Sequence, residues 1–336
     1  AHLIVGTHAL LEGSVEFARL GLAVIDEQHR FGVAQRAALR RKGANLDILV
    51  MTATPIPRTL AMSLYGDLDV STIDELPADR RPIRTAIRTE EQKERVFEFI
   101  TAEVRRGRQA YVVFPLIEQS EKVDLKAATE AYEDLQKGAL RGLRLGLLHG
   151  RMSSDEKDDI MRRFQGGDVD VLVSTTVIEV GIDVSNATVM VIENAERFGL
   201  SQLHQLRGRV GRGADQSYCI LISNVGLYHR SLKGLDPAEQ KEEENRAVRR
   251  LKTMEETTDG FRISEVDLEL RGPGELFGTR QSGVPMLEMA DPMRDRVLLD
   301  RAREASERIV RADPRLLSAE HRLIRRHFED NYLDLF

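Results

Sequence analysis

The sequence predicts an α/β protein built from parallel sheets covered by helices. Three observations carry that expectation. Short apolar runs of strand length alternate with amphipathic stretches of helix length through most of the 336 residues. The alternation is interrupted from Asp74 to Arg84 by Pro77, Pro82 and mixed charges, which read as a linker between two such blocks. The polar motifs stand directly after the apolar runs, where a parallel sheet presents its binding residues beyond the carboxyl ends of its strands.

In the first block, Leu3-Ile4-Val5, Leu20 to Ile25 and Asp47 to Met51 are expected strands, and Val33 to Arg41 a basic helix. The second block opens with a helix over Glu91 to Arg106, whose apolar face is Val96, Phe97, Phe99, Ile100 and Val104. A second helix is expected over Asp124 to Leu140. A third starts at Ser153, where Glu156 three residues on gives a capping-box signature. Expected strands are Ala110 to Ile117, Leu143 to Leu148, Val169 to Val173, Val189 to Ile192 and Tyr218 to Ile222. Leu200 to Leu206 should be helical. After Asn224 the character changes: Pro237 to Glu256 reads as a highly charged exposed or interface helix. Asp259 to Gly283 reads as a glycine-rich loop region, and Asp291 to Val310 as an arginine-rich helix.

Composition narrows the class. Hydrophobic residues at 41% are enough for real cores, and no apolar run approaches the roughly 20 residues of a membrane helix. The single cysteine, Cys219, excludes an internal disulfide and a cysteine zinc site; inside an apolar run it reads as a buried thiol and suits a reducing cytoplasm. The histidines His2, His149, His204 and His229 show no metal-ligand spacing. A net charge of −6 does not advertise nucleic-acid binding, yet a local basic groove matters more than the total. Most basic residues are arginine, which favours forked contacts with phosphate or carboxylate.

Four segments carry chemistry. Asp26-Glu27-Gln28-His29 follows the second expected strand. Asp26 there can hold the water shell of a Mg²⁺ ion, and Glu27 can orient or deprotonate a water that attacks a terminal phosphate. Taken alone the pair reads as readily as a helix cap. Thr52-Ala53-Thr54-Pro55-Ile56-Pro57-Arg58 follows the next strand, with two hydroxyls flanking a small residue. Ser174-Thr175-Thr176 through Gly181-Ile182-Asp183 places hydroxyls suited to nucleic-acid phosphates at a strand end. Gly181 permits close backbone approach, and Asp183 could take a ribose or an arginine. The most specific segment is Gln205-Leu206-Arg207-Gly208-Arg209-Val210-Gly211-Arg212-Gly213. Arg209 and Arg212 share a helical face if the helix continues, and each offers a planar fork that can stabilise charge on a transferring phosphoryl group.

Together these segments resemble superfamily 2 helicases and translocases. The resemblance implies two RecA-like domains with ATP and Mg²⁺ between them. Asp26 and Glu27 would be the metal and water residues. Gln205, Gly181 and Asp183 would bind the nucleotide, with Arg209 and Arg212 reaching it across the cleft. His29, Thr52 and Thr54 would couple the two domains, and Thr7, His8, Arg58, Thr175 and Thr176 would contact DNA. Ile4-Val5-Gly6-Thr7-His8-Ala9-Leu10 and Asp26 to Val33 are similar to the RecG branch of DNA translocases. So is Asp259 to Gly283, which resembles the translocation motif shared with the transcription-repair coupling factor. There Arg262, Arg271, Arg280 and Gln281 are implied as coupling residues, and Pro237–Glu256 as the first arm of a helical hairpin. The implied partner is branched or double-stranded DNA, with no membrane, handled by a monomeric motor in the cytoplasm.

The expected domains are the carboxyl-terminal part of a first RecA-like domain (1–76), a second RecA-like domain (85–232) and a translocation-motif region with final helices (233–336). No glycine-rich phosphate loop occurs, since the only lysine before Ser or Thr is Lys252, which follows Leu251. The chain is therefore expected to be a fragment that alone hydrolyses ATP negligibly. Two alternatives stand beside this reading: a coupling-factor-like translocase acting on stalled RNA polymerase, and a non-catalytic DNA- or protein-binding module.

Overall fold

The computed structural model describes residues 1–26, 39, 42–43, 46–52, 71–73, 75, 80–115, 121–175, 184–223, 237–271 and 295–332. The chain divides into two compact units, Ala1–Pro55 with Ile73–Gln281, and Ile56–Thr72 with Ser282–Phe336.

In the first unit, β1 (Leu22–Ile25) and β2 (Asp47–Val50) pair in parallel, with Ile25 opposite Val50. Leu3-Ile4-Val5, expected as a strand, is irregular and exposed. Three apolar side chains with no partner strand gain nothing from extended pairing, so the run alone does not make a strand. The expected helix over residues 33–41 lies outside the described residues apart from Leu39, which is helical and buried.

The second sheet has six strands: β3 (Arg84–Arg88), β4 (Gln109–Phe114), β5 (Leu145–Leu148), β6 (Val171–Thr175), β7 (Ala187–Ile192) and β8 (Tyr218–Ile222). All pairings are parallel and the order is β3-β8-β7-β4-β6-β5. The central strands are buried on both faces, which is why β4, β6 and β7 read as continuous apolar runs. Alternation still sorts the faces. Ala110 and Val112 point into a core with Val96, Phe97 and Ile100 of α1 (Lys93–Arg105) and Leu135 of α2 (Glu121–Lys137). Tyr111 and Val113 point into the opposite core, with Ile160, Met161 and Phe164 of α3 (Ser154–Gln165) and Leu203 of α4 (Leu200–Arg207). The Ser153–Glu156 capping box at the start of α3 is present.

One strand was not expected. β3 follows directly on the segment that reads as linker, sharing only Arg84 with it, and the arginines at both ends hide a five-residue run. It forms through pairing with β8, 134 residues away at Arg84–Tyr218, and occupies the sheet edge. That edge is partly capped, since Ile87 N donates to Glu255 Oε1 at 3.1 Å.

A second correction concerns Asp259–Gly283. Its first half is not loop but helix: α6 (Gly260–Arg271) follows α5 (Pro237–Glu256) after three residues. Asp259 Oδ1 accepts from Phe261 N at 2.8 Å, an N-cap arrangement that offsets the helix-weakening Gly260. Leu251 and Met254 of α5 and Ile263 and Val266 of α6 join the same buried core as α4. α5 is thus an interface helix with an exposed charged face.

The second unit contains α7 (Arg296–Ala312) and α8 (Arg322–Tyr332). Between them Asp313 accepts from Leu317 N, Ser318 N and His321 Nδ1, with Leu316 in the left-handed region at φ 51°. The His321 contact first, then the two backbone amides, hold the Asp313 carboxyl well below the usual carboxylate range. Among the described residues no helix is long and apolar enough to cross a membrane.

Candidate nucleotide and nucleic-acid site

Asp26 and Thr52 follow the ends of β1 and β2. Met51 N donates to Ile25 O at 2.8 Å, so the two motifs leave adjacent parallel strands side by side. Both residues are exposed. A single exposed carboxylate at a strand end suits Mg²⁺ held largely through water. No group of three or more metal-ligating side chains occurs among the described residues.

The carboxyl edge of the larger sheet holds several buried polar atoms without a partner among the described residues: His149 Nδ1 after β5, Thr175 Oγ1 ending β6, Glu193 Oε1 after β7 and Ser223 Oγ after β8. His149 and Thr175 are lateral neighbours, because Leu148 pairs with Ser174. Burial lowers the His149 pKa, favouring a neutral imidazole. Glu193 forms an ion pair with Lys93 at 2.9 Å, and burial nonetheless pushes its carboxyl above the ordinary range. Orphaned donors and acceptors at this edge are the chemistry a polar ligand would satisfy.

The arginine-rich segment does not continue α4. The helix ends at Arg207 and Gly208 caps it. Gly211 sits at φ 77°, and a Cβ there would lie 2.8 Å from Ile83 Cγ1, so only glycine fits. Arg80 Nε donates to Gly211 O at 2.9 Å and Val210 is fully buried, which anchors the loop. Arg209 is half-buried and Arg212 exposed, with Arg212 Nε directed to Gly208 O at 3.4 Å. Gln205 is exposed on α4. The shared helical face expected for Arg209 and Arg212 is replaced by a glycine-turned loop.

Arg207, which the sequence reading passed over, is only 2% exposed. Its guanidinium donates to Met254 O at 2.9 Å and Thr257 O at 2.8 Å, at the turn between α5 and α6, and lies 3.2 Å from His204 Nδ1. Burial, then the Arg207 charge, lowers the His204 pKa to about 4, so the imidazole is neutral and accepts. Further ties are Ser201 Oγ to Asp267 Oδ2 at 2.8 Å, Arg250 Nη2 to Glu196 O at 3.0 Å, and an Arg249–Glu269 ion pair joining α5 to α6. The sequence signal for Arg207 was its place three residues after His204 in a buried helix. The glycine spacing drew attention to Arg209 and Arg212 instead.

Of the remaining candidates, Thr7 caps a short 3₁₀ turn that begins at His8. Arg262 pairs with Glu265 at 3.2 Å, and Arg271 ends α6. Glu27, His29, Thr54, Arg58, Thr176, Gly181, Asp183, Arg280 and Gln281 lie outside the described residues.

Residues 91–214 match the helicase conserved C-terminal domain, and residues 257–331 match domain 3, C-terminal, of the ATP-dependent DNA helicase RecG. The six-stranded parallel sheet and its covering helices therefore have the RecA-like fold of a helicase C-terminal domain. The chain is 54% identical over 314 residues to the ATP-dependent DNA helicase RecG of Synechocystis, covering 94% of this chain and 36% of that protein. It is 51% identical over 329 residues to the Streptococcus pneumoniae protein of the same name, covering 98% and 46%. A solved structure of RecG bound to a three-way DNA junction matches with a TM-score of 0.62 and 47% identity, over 88% of this chain and 36% of that one. Over nearly its whole length the chain is similar to RecG proteins. It spans between about a third and a half of the length of these relatives. The match over residues 257–331 does not favour the coupling-factor alternative.

Proposed function

We propose that this chain is part of an ATP-dependent double-stranded DNA translocase and helicase that remodels branched DNA, such as stalled forks and Holliday junctions, in recombination and repair. On this reading residues 1–76 close a first motor domain, 85–232 form the second, and 233–336 convert motor motion into movement on DNA. The motor acts as a monomer in the cytoplasm. ATP with Mg²⁺ supplies the driving phosphoryl transfer.

The chain's own residues then have defined tasks. Asp26 holds the metal's water shell and Glu27 orients the attacking water. Gln205, Gly181 and Asp183 hold the nucleotide. Arg209 and Arg212 place two permanently charged forks where charge develops on the phosphoryl oxygens. Thr7, His8, Arg58, Thr175 and Thr176 contact the DNA backbone. His29, Thr52 and Thr54 relay between domains, and Arg262, Arg271, Arg280 and Gln281 carry the motion to the duplex.

One observation supports the reading most. The helix that bears Gln205 and leads into Arg209 and Arg212 is also the helix to which the α5–α6 turn is bonded, through Arg207. A shift at the arginine loop therefore has a short, hydrogen-bonded route to the translocation region. In the full-length protein, Arg212→Ala should lower DNA-stimulated ATP turnover by about 10²-fold or more, the cost of removing one positioned charge. Unchanged turnover would remove Arg212 from the nucleotide site.

A further inference from the structure

A groove of about 660 Å³ runs along the edge of the six-stranded sheet, between β3 and α1. Its floor is apolar and aromatic, with Phe99 and Tyr218 packed edge to face at 5.1 Å between ring centres. Arg84, Arg88 and Arg95 stand around it. Arg84 and Arg88 share one face of β3 four residues apart, about 13 Å at strand rise. No carboxylate lines the groove, and none pairs with these three arginines among the described residues; Arg88 donates only to Ile87 O. Elsewhere Arg106, Arg108, Arg144, Arg246 and Arg262 are neutralised by acids; the three at the groove keep their charge for a ligand. The groove lies along a strand and a helix face; the arginine-rich segment meets β3 through Gly211 at Ile83, just before the strand, and Arg207 at Thr85.

We propose that this groove is a binding site for single-stranded nucleic acid, separate from the motor's own residues. The chemistry is that of a single-strand track: arginines spaced along one edge for phosphates, and a recessed aromatic floor for bases. A duplex would meet only the rim, because its bases are stacked inside and the floor is recessed. A short acidic peptide satisfies the rim equally but has no use for aromatic faces. The inference rests on the DNA-acting reading above and assigns a second strand-binding surface within it.

The test uses the full-length protein and an oligo(dT) strand carrying 5-iodouracil, which photo-crosslinks to aromatic side chains stacked on it. The expected result is a crosslink in the peptides holding Phe99 or Tyr218, lost in the Arg84→Gln/Arg88→Gln/Arg95→Gln variant. Oligo(dT) binding by that variant should weaken at least 10-fold, and the slope of log K against log salt should flatten by about 2, three phosphates at roughly 0.7 each. The exposed substitutions should leave the thermal midpoint and ATP turnover unchanged. Crosslinks that fall only near Thr175 and Thr176 would overturn this site while leaving the motor reading intact. Poly-L-glutamate of equal charge displacing the strand as well as unlabelled oligo(dT) does would also overturn it, in favour of an acidic peptide. Loss of crosslinks everywhere, with ATP turnover indifferent to DNA, would instead count against the DNA-acting reading.

Discussion

Replacing Arg207 by methionine isolates what the buried guanidinium contributes. Methionine fills similar apolar volume but donates nothing, so Met254 O and Thr257 O lose their charged donor in a closed environment. Each charge-assisted bond contributes about 1.5–3 kcal/mol net, and each orphaned carbonyl costs a comparable amount. Part is returned, because Arg207 is desolvated and its removal relieves a buried charge, the same burial that lowers its pKa. The balance is a loss of about 2–4 kcal/mol. For a domain of this size that lowers Tm by roughly 5–15 °C. Circular dichroism melts of wild type and variant measure it. Hydrogen exchange locates it: protection should fall first in 245–271, the α5–α6 pair, and less in β4 and β6. A variant melting within about 1 °C of wild type, with α5–α6 protection intact, would refute the claim that Arg207 fastens these helices to α4.

His204 gives a pH signature. Its pKa is about 4 folded against an ordinary 6.5, so between those values the unfolded chain binds the extra proton. Its contribution is fully present above pH 6.5 and is lost as pH falls towards 4, by about 3 kcal/mol at the limit; His204→Gln should flatten that slope in denaturant titrations. Gly211→Ala forces a Cβ to 2.8 Å from Ile83 Cγ1 at φ 77° and should cost about 1–3 kcal/mol. Its ATP turnover should fall further than melting predicts, because the loop carrying Arg212 moves; turnover tracking stability alone would contradict this. Gln281→Ala or Arg271→Ala should leave ATP hydrolysis largely intact while fork unwinding drops, and equal loss of both would count against a coupling role.

How much was legible depended on where the information sat. β4, β6, β7 and β8 are buried apolar runs bounded by polar turns, and a local run is enough to locate such strands. The Ser153 capping box and the α5 boundaries are likewise local. β3 was missed because Arg84-Thr85-Ala86-Ile87-Arg88 has no apolar signal of its own and exists through β8. α6 was missed because glycines on both sides suggested loop, whereas Ile263 and Val266 needed α4 and α5 beside them to be buried. Leu3-Ile4-Val5 erred the other way, having strand composition without a partner.

The site divides along the same line. Asp26, Thr52, Thr175, Gln205, Arg209 and Arg212 were marked by residue type, spacing and position after a strand or helix, which any sequence displays. By itself the sequence determined the α/β class, the RecG resemblance and this set of chemical groups. Tertiary structure alone decided that Asp26 and Thr52 leave neighbouring strands, that Gly211 turns the arginines off the helix, and that Arg207 is structural where Arg212 is exposed. It also decided that three arginines and two aromatic rings from β3, α1 and β8 meet in one groove. Those facts depend on burial and pairing between segments 25 to 134 residues apart, and neither composition nor periodicity records which distant segments meet.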